Sequence, residues 1–161
     1  MAGRTGQELN ASALAGDAGV AVKAPKLHLL DSGLACHLLG IHTSTQLHAH
    51  PLRGALFESW VVSEVAKARL HAGLPLRMFH YREARGPEVD LLVQGEKYWI
   101  ALEAKSGATV DASFFAGMEA FSARLPKGTA LLRRLVHGGQ DQYRRQGVDV
   151  TPWSEIQAVR W

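Results

Sequence analysis

Apolar and polar positions alternate with different periods along the chain. Residues 53–72 carry the clearest helical signal. Phe57, Trp60, Val61, Val65 and Ala68 fall on one face of a 3.6-residue wheel, and Gly73-Leu74-Pro75 ends the run. Glu58 and Glu64 lie inside that apolar arc or at its border. The period then shortens to two. Residues 76–82, 88–93 and 97–104 read as strands, separated by the turn signals Arg85-Gly86-Pro87 and Gln94-Gly95-Glu96. Turns this short join strands as an antiparallel meander. A second helix is predicted over Phe114, Phe115, Met118 and Phe121, capped by Asp111 or Ser113 and ending at Pro126. Residues 129–136 read as a fourth strand, Gly138-Gly139 as a turn and 148–150 as a fifth strand. Thr151-Pro152 opens a last helix, expected to carry Trp153, Ile156 and Val159 inward.

Upstream of the long helix, Lys26-Leu27-His28-Leu29-Leu30 has strand character. Asp31 and Ser32 are N-cap candidates for a short helix through Leu34, Leu38 and Leu39 that stops at Gly40. Residues 42–53, polar and rich in histidine, read as a loop. Residues 1–22 differ from the rest: rich in Ala and Gly, without aromatics, and only weakly helical. A meander followed by a strand–helix–strand crossover predicts an α/β fold, a mixed central sheet flanked by helices.

Composition narrows the picture a little. A chain of 161 residues builds one domain with a real core. It holds no run approaching the ~20 apolar residues of a membrane helix and opens on no apolar signal core. Cys36 is alone, which rules out an internal disulfide and fits a cytoplasmic location. A net charge of +3 permits contact with nucleic acid without arguing for it.

Candidate chemistry lies in the second and third strands. Alternation puts Asp90 opposite Val89, Leu91 and Val93, and puts Glu103 and Lys105 on one face, two residues apart. The short turn lets Asp90 and Glu103 meet across the hairpin, with Glu58 within reach from the helix. Carboxylates in an apolar strand are costly unless paired or bound to metal. Carboxylate oxygens suit a hard divalent cation, Mg²⁺ or Mn²⁺. Such an ion lowers the pKa of a bound water and offsets charge on a reacting phosphodiester. A neighbouring lysine can position or deprotonate that water. Glu58, Asp90 and Glu103 are thus the candidate metal ligands, and Asp90, Glu103 and Lys105 the candidate catalytic residues. Glu64 is the alternative to Glu58.

Glu58, then Glu88-Val89-Asp90, then Glu103-Ala104-Lys105, resembles the signature of the PD-(D/E)XK nucleases in its usual order. More narrowly, residues 23–161 resemble the C-terminal domain of unknown function of a bacterial and archaeal family of AAA-type ATPases. The blocks that carry this likeness begin at residues 26, 51, 88, 102 and 147: KLHLLDSGLA, PLRGALFE, EVDLLV, LEAKSG and GVxVxPW. The resemblance implies a restriction-endonuclease-like fold and a nucleic-acid substrate, with DNA binding as one form. It also allows a catalytically silent regulatory or self-associating module. In that family an ATPase module and a winged helix come first. Here no Gly-Lys dipeptide exists, so no phosphate-cradling loop and no ATPase activity are expected. Residues 1–22 read as a truncated, poorly ordered winged-helix remnant.

Blander readings stand beside these. The charged cluster reads equally as a structural ion-pair network, and Glu88 as a solvated charge. His48 and His50 lack the spacing of a zinc site. Arg82, next to Tyr81, is expected to pair with Glu83 or Glu96. Arg133, Arg134, Arg144 and Arg145 read as a solvated basic rim, and Trp60, Trp99, Trp153 and Trp161 as core.

Overall fold

The computed structural model describes residues 26–83 and 86–161. The segment 1–22, read above as a separate region, therefore lies outside the described residues, as does Arg85 of the first turn. Residues 26–30 form no strand. Leu27, Leu29 and Leu30 face solvent while His28 is buried, the reverse of what their hydropathy suggested. This strap runs along the long helix, where the Ser63 hydroxyl donates to the Leu30 carbonyl.

Helix α1 (Ser32–Leu38) is capped by Asp31, whose carboxylate accepts from the Leu34 amide at 2.8 Å, and Gly40 leaves it at φ 71°. The expected loop that follows contains a helix, α2 (Ser44–Ala49). Thr43 and Gln46 close a capping box around its first turn, a local bond pattern strong enough to fold a polar segment. Helix α3 (Arg53–His71) ends at Gly73, φ 69°.

The sheet has six strands in the order β1-β2-β3-β4-β6-β5. Strands β1 (Met78–Arg82), β2 (Glu88–Gln94) and β3 (Tyr98–Lys105) form the predicted antiparallel meander. From β3 the chain passes through a 3-10 helix (Ala112–Phe115), begun by Asp111, and α4 (Ala116–Arg124). It returns as β4 (Ala130–His137), parallel to β3. Strand β6 (Val148–Pro152) is parallel to β4. The edge strand β5 (Tyr143–Arg145) was not foreseen, since its Arg-rich, wholly exposed sequence gives no apolar alternation. A two-residue turn, Gln146 at φ 51° and Gly147 at φ 77°, joins it to β6, the left-handed pair that a tight hairpin requires.

Each face of the sheet buries a layer. Val61, Val62 and Val65 of α3 pack on Leu91, Val93, Ile100 and Leu102. Phe115, Met118 and Phe121 pack on Val89, Leu92, Trp99 and Leu135. Burying one such side chain fully contributes about 1.5–3 kcal/mol, so these layers dominate stability. The C-terminal segment Trp153–Ala158 is a 3-10 helix, and it buries Ile156 but leaves Trp153 45 % exposed. Trp153 is therefore not core, unlike Trp99 and Trp161.

One detail of the sheet governs the site. Phe79 pairs with Leu92 and Tyr81 with Val89, so β2 advances three residues where β1 advances two. This bulge sits at Asp90–Leu91 and breaks the simple alternation. Val89 joins Leu92 on the α4 side, not Leu91 and Val93 on the α3 side as expected.

Candidate active site

The bulge, the end of β3 and the first turns of α3 converge on a cleft of about 300 Å³ lined by Glu58, Glu88, Asp90, Lys105, Ser106 and Phe114. Leu91 pairs with Leu102, so one step further Asp90 lies across from Glu103. The Asp90 carboxylate accepts from the Ala104 amide at 3.0 Å and lies 3.9 Å from Lys105 Nζ. Lys105 Nζ donates to Glu103 Oε1 at 2.5 Å and sits 5.2 Å from the centre of the Phe114 ring. Three of the four residues named from sequence thus meet as the hairpin geometry required.

Glu58 also reaches this place, through a residue that sequence reasoning passed over. Lys26 Nζ lies 2.8 Å from Glu58 Oε1 and 3.4 Å from Asp90 Oδ1, joining the two carboxylates. His28, two residues on, contacts the Ser59 hydroxyl at 3.2 Å and approaches Glu58 at 3.9 Å. Lys26 opened a run that looked like a strand, so its side chain gave no sign of pointing at an acidic pair. Glu64 is settled the other way. It is buried beside Lys67 and accepts from Gln157 at 3.3 Å, so it belongs to the packing of α3 on the C-terminal 3-10 helix.

The electrostatics are those of crowded carboxylates. Burial, then the neighbouring Asp90 charge, pushes Glu103 up to about 7 against the pull of Lys105. Burial and Asp90 also push Glu58 upward, with Lys26 opposing. Burial alone would lower both lysines, but hydrogen bonds and charge from their acidic partners hold Lys26 and Lys105 above the ordinary lysine value. Burial and Lys26 keep His28 low, favouring its neutral form. Glu103 Oε2 is buried and makes no hydrogen bond. Such an atom costs about 1–3 kcal/mol and calls for an explanation.

The remaining candidates lie elsewhere. Arg82 pairs with Glu88 at 3.6 Å rather than with Glu83 or Glu96, and Glu83 instead binds Arg124 and the Tyr81 hydroxyl. Arg134 caps the Arg160 carbonyl over the Trp161 ring, Arg145 donates to the Val110 carbonyl, and Arg144 pairs with Asp149. Among the described residues, no three His, Cys, Asp or Glu side chains are placed to hold a metal ion as they stand, neither Glu58, Asp90 and Glu103, where Lys26 lies between the first two, nor a group with His48 and His50. No helix among them is long and apolar enough to cross a membrane.

Fold and cleft together define an α/β domain with a buried carboxylate–lysine cluster where a bulged hairpin meets a helix. The chain belongs to the family described as "Domain of unknown function (DUF4143)", whose model matches residues 53–156. That span contains Glu58, Asp90, Glu103 and Lys105 but not Lys26. No curated protein matches the chain.

Proposed function

We propose that this domain is a metal-dependent nuclease of the PD-(D/E)XK type acting on phosphodiesters of nucleic acid. The observation that carries the reading is Glu103: a buried carboxylate with one oxygen unbonded, facing Asp90 and raised by it. A hard divalent ion drawn in among these carboxylates would give that oxygen a partner, and the all-oxygen donors suit Mg²⁺ or Mn²⁺. Asp90, Glu103 and Glu58 would hold it. When bound, such an ion activates water and offsets charge on the scissile phosphate. Lys105, anchored by Glu103 and resting on Phe114, holds its ammonium at the mouth of the cleft, where it can steady an attacking water or neutralise a phosphate oxygen. A family origin behind AAA-type ATPases is part of this proposal.

The decisive experiment is a Mn²⁺ titration by calorimetry of wild type and Asp90→Ala. Losing even an outer partner of a metal ligand costs about 10–100-fold in affinity, so loss of Asp90 is expected to cost at least that. No binding by wild type, or equal binding by both, overturns the proposal. Where Mn²⁺ binds, Lys105→Ala is expected to keep that binding and lose plasmid nicking.

A second reading is favoured by one observation, the Lys26 ammonium between Glu58 and Asp90. Two lysines against three carboxylates make a largely neutralised cluster, which suits a catalytically silent module that binds a protein partner or a second copy. The readings part at Lys26. Two elementary charges about 4 Å apart near a protein surface interact by about 4 kcal/mol, so a resident ammonium competes with an incoming cation. Lys26→Ala is expected to tighten Mn²⁺ binding by about tenfold, which corresponds to about 1.4 kcal/mol. A purely structural cluster would instead lose stability without gaining metal affinity.

A further inference from the structure

A second cleft, of about 580 Å³, lies between α1, α2, α3 and the C-terminal 3-10 helix. Its volume is in the range of small-ligand sites, about 300–1,000 Å³. Three aromatic rings build one wall. Phe57 and Trp60 stand 5.7 Å apart, and Trp60 meets Trp153 edge-to-face at 6.0 Å. Trp153 remains 45 % exposed although a core lies beside it. An aromatic ring left open in a concave site is a surface that a ligand can cover.

Charge limits what that is. The lining holds two basic side chains, Arg53 and His48, and no carboxylate, whereas the neighbouring cleft is rich in carboxylates. Gln140 and Ser32 add polar edges. An apolar peptide would cover the rings but leave these groups unpaired, a cost for each that is buried. A planar ligand with an anionic end satisfies both halves. The two clefts also meet. Ser106 lines each of them, and the Arg53 guanidinium donates to its carbonyl at 2.5 Å from the boundary.

We infer that the second cleft is a nucleotide site, where a base stacks on the exposed Trp153 ring and its phosphate faces Arg53. Aromatic shelves accept any base, because every base presents a π-face, so the site selects for nucleotides without reading sequence. The inference stands on this cleft alone and needs no metal. The ligand is a free mononucleotide or one residue of a single strand entering the carboxylate cleft.

Calorimetry in EDTA with AMP, adenosine and a short single-stranded oligonucleotide tests it. Wild type is expected to bind AMP or the oligonucleotide, and the tighter of the two identifies the source. Adenosine is expected to bind at least about tenfold more weakly than AMP. Trp153→Leu, at a half-exposed position where the circular dichroism is expected to stay unaltered, is expected to weaken nucleotide binding by about tenfold or more. The same variant is expected to keep the Mn²⁺ affinity of wild type. No nucleotide binding, or equal binding by Trp153→Leu, overturns the inference. Adenosine binding as tightly as AMP overturns the role of Arg53. A failed Mn²⁺ titration overturns only the nuclease reading, so the two proposals fail separately.

Discussion

Replacing Gly117 by alanine is expected to destabilise the protein by about 3 kcal/mol, at the upper end of what overpacking a core costs. Gly117 lies in α4 where the helix crosses β2. A Cβ there would stand 1.7 Å from the Glu88 carbonyl oxygen and 2.6 Å from its carbon, with Val89 Cγ2 at 3.3 Å. The obstacle is backbone in a paired strand, which cannot rotate away. Either α4 lifts off the sheet, opening the layer around Met118 and Phe121, or β2 is pushed toward the α3 layer on the other face. Intrinsic propensity pulls the other way, since alanine is favoured over glycine inside a helix by about 1 kcal/mol. Packing wins because the contact is far inside any van der Waals limit. Gly54 is the matched control. It lies in α3 with nothing within 4 Å of the place a methyl group would take, so Gly54→Ala is expected to be neutral or slightly stabilising. Thermal unfolding followed by circular dichroism separates them. With about 2–4 °C per kcal/mol for a chain of this size, Gly117→Ala is expected to melt about 6–12 °C lower. A change within about 0.5 kcal/mol, the range of an inert surface substitution, would show that α4 does not seat on Glu88. The effect reaches the carboxylate cleft too, because Glu88 is two residues from Asp90 and Asp90 sits on the bulge.

What the sequence revealed of this fold followed its strongest periodicities. The wheel through Phe57, Trp60, Val61 and Val65 located α3, and the two-residue period with short turns gave β1 to β3 and their antiparallel pairing. Asp90, Glu103 and Lys105 were legible because a charge in an otherwise apolar strand is conspicuous. Elements held by other means were not. Helix α2 is fixed by the Thr43–Gln46 capping box, and β5 by a left-handed turn and backbone pairing on an edge whose side chains all face solvent. The bulge at Asp90 was invisible for a different reason: it exists only in the register between β1 and β2, which single-strand alternation does not encode. Lys26 was missed because its role depends on a strap folding back across α3, a contact between positions 32 and 64 residues apart in the chain. Trp153 was misassigned by the helical spacing that placed Ile156 correctly. A 3-10 helix turns every three residues, so Trp153, Ile156 and Val159 should align, yet Trp153 starts the helix beyond the edge of the core and faces the second cleft.

Glu103→Gln is expected to make the protein more stable at neutral pH and to flatten its dependence on pH. In the folded chain the Glu103 carboxyl is raised from 4.5 to about 7, by burial first and by Asp90 second. Folding therefore binds a proton between those values. The stability contributed by this group is fully present below 4.5 and is lost as pH rises through about 7. A tenfold change in proton affinity corresponds to about 1.4 kcal/mol, so the loss across the window is on the order of 3 kcal/mol. Glu58, raised for the same two reasons, adds a loss of the same sign. Lys26 and Lys105 are raised as well, but a raised lysine loses its contribution only above its ordinary value of 10.5, outside the window. Glu83 and Asp111 are lowered, so their contributions fade as pH falls through the acid range, below the window. His28, lowered by burial and by Lys26, acts in the opposite sense, since its contribution is lost as pH falls below 6.5. The expected curve for wild type in EDTA is thus a net decline in urea stability from about pH 5 to pH 7.5, with Glu103→Gln clearly less steep and about 2 kcal/mol more stable at the upper end. Mn²⁺ supplies the discriminating arm. A bound cation favours the ionised carboxylate, so it is expected to flatten the wild-type decline and to leave Glu103→Gln where it was. Equal slopes for the two proteins in EDTA would remove Glu103 from the account. A wild-type slope that Mn²⁺ does not change would leave a strained structural cluster rather than a metal site. If both arms behave as expected, the carboxylate that weakens the empty fold is the one the cation needs, a cost in stability tied directly to function.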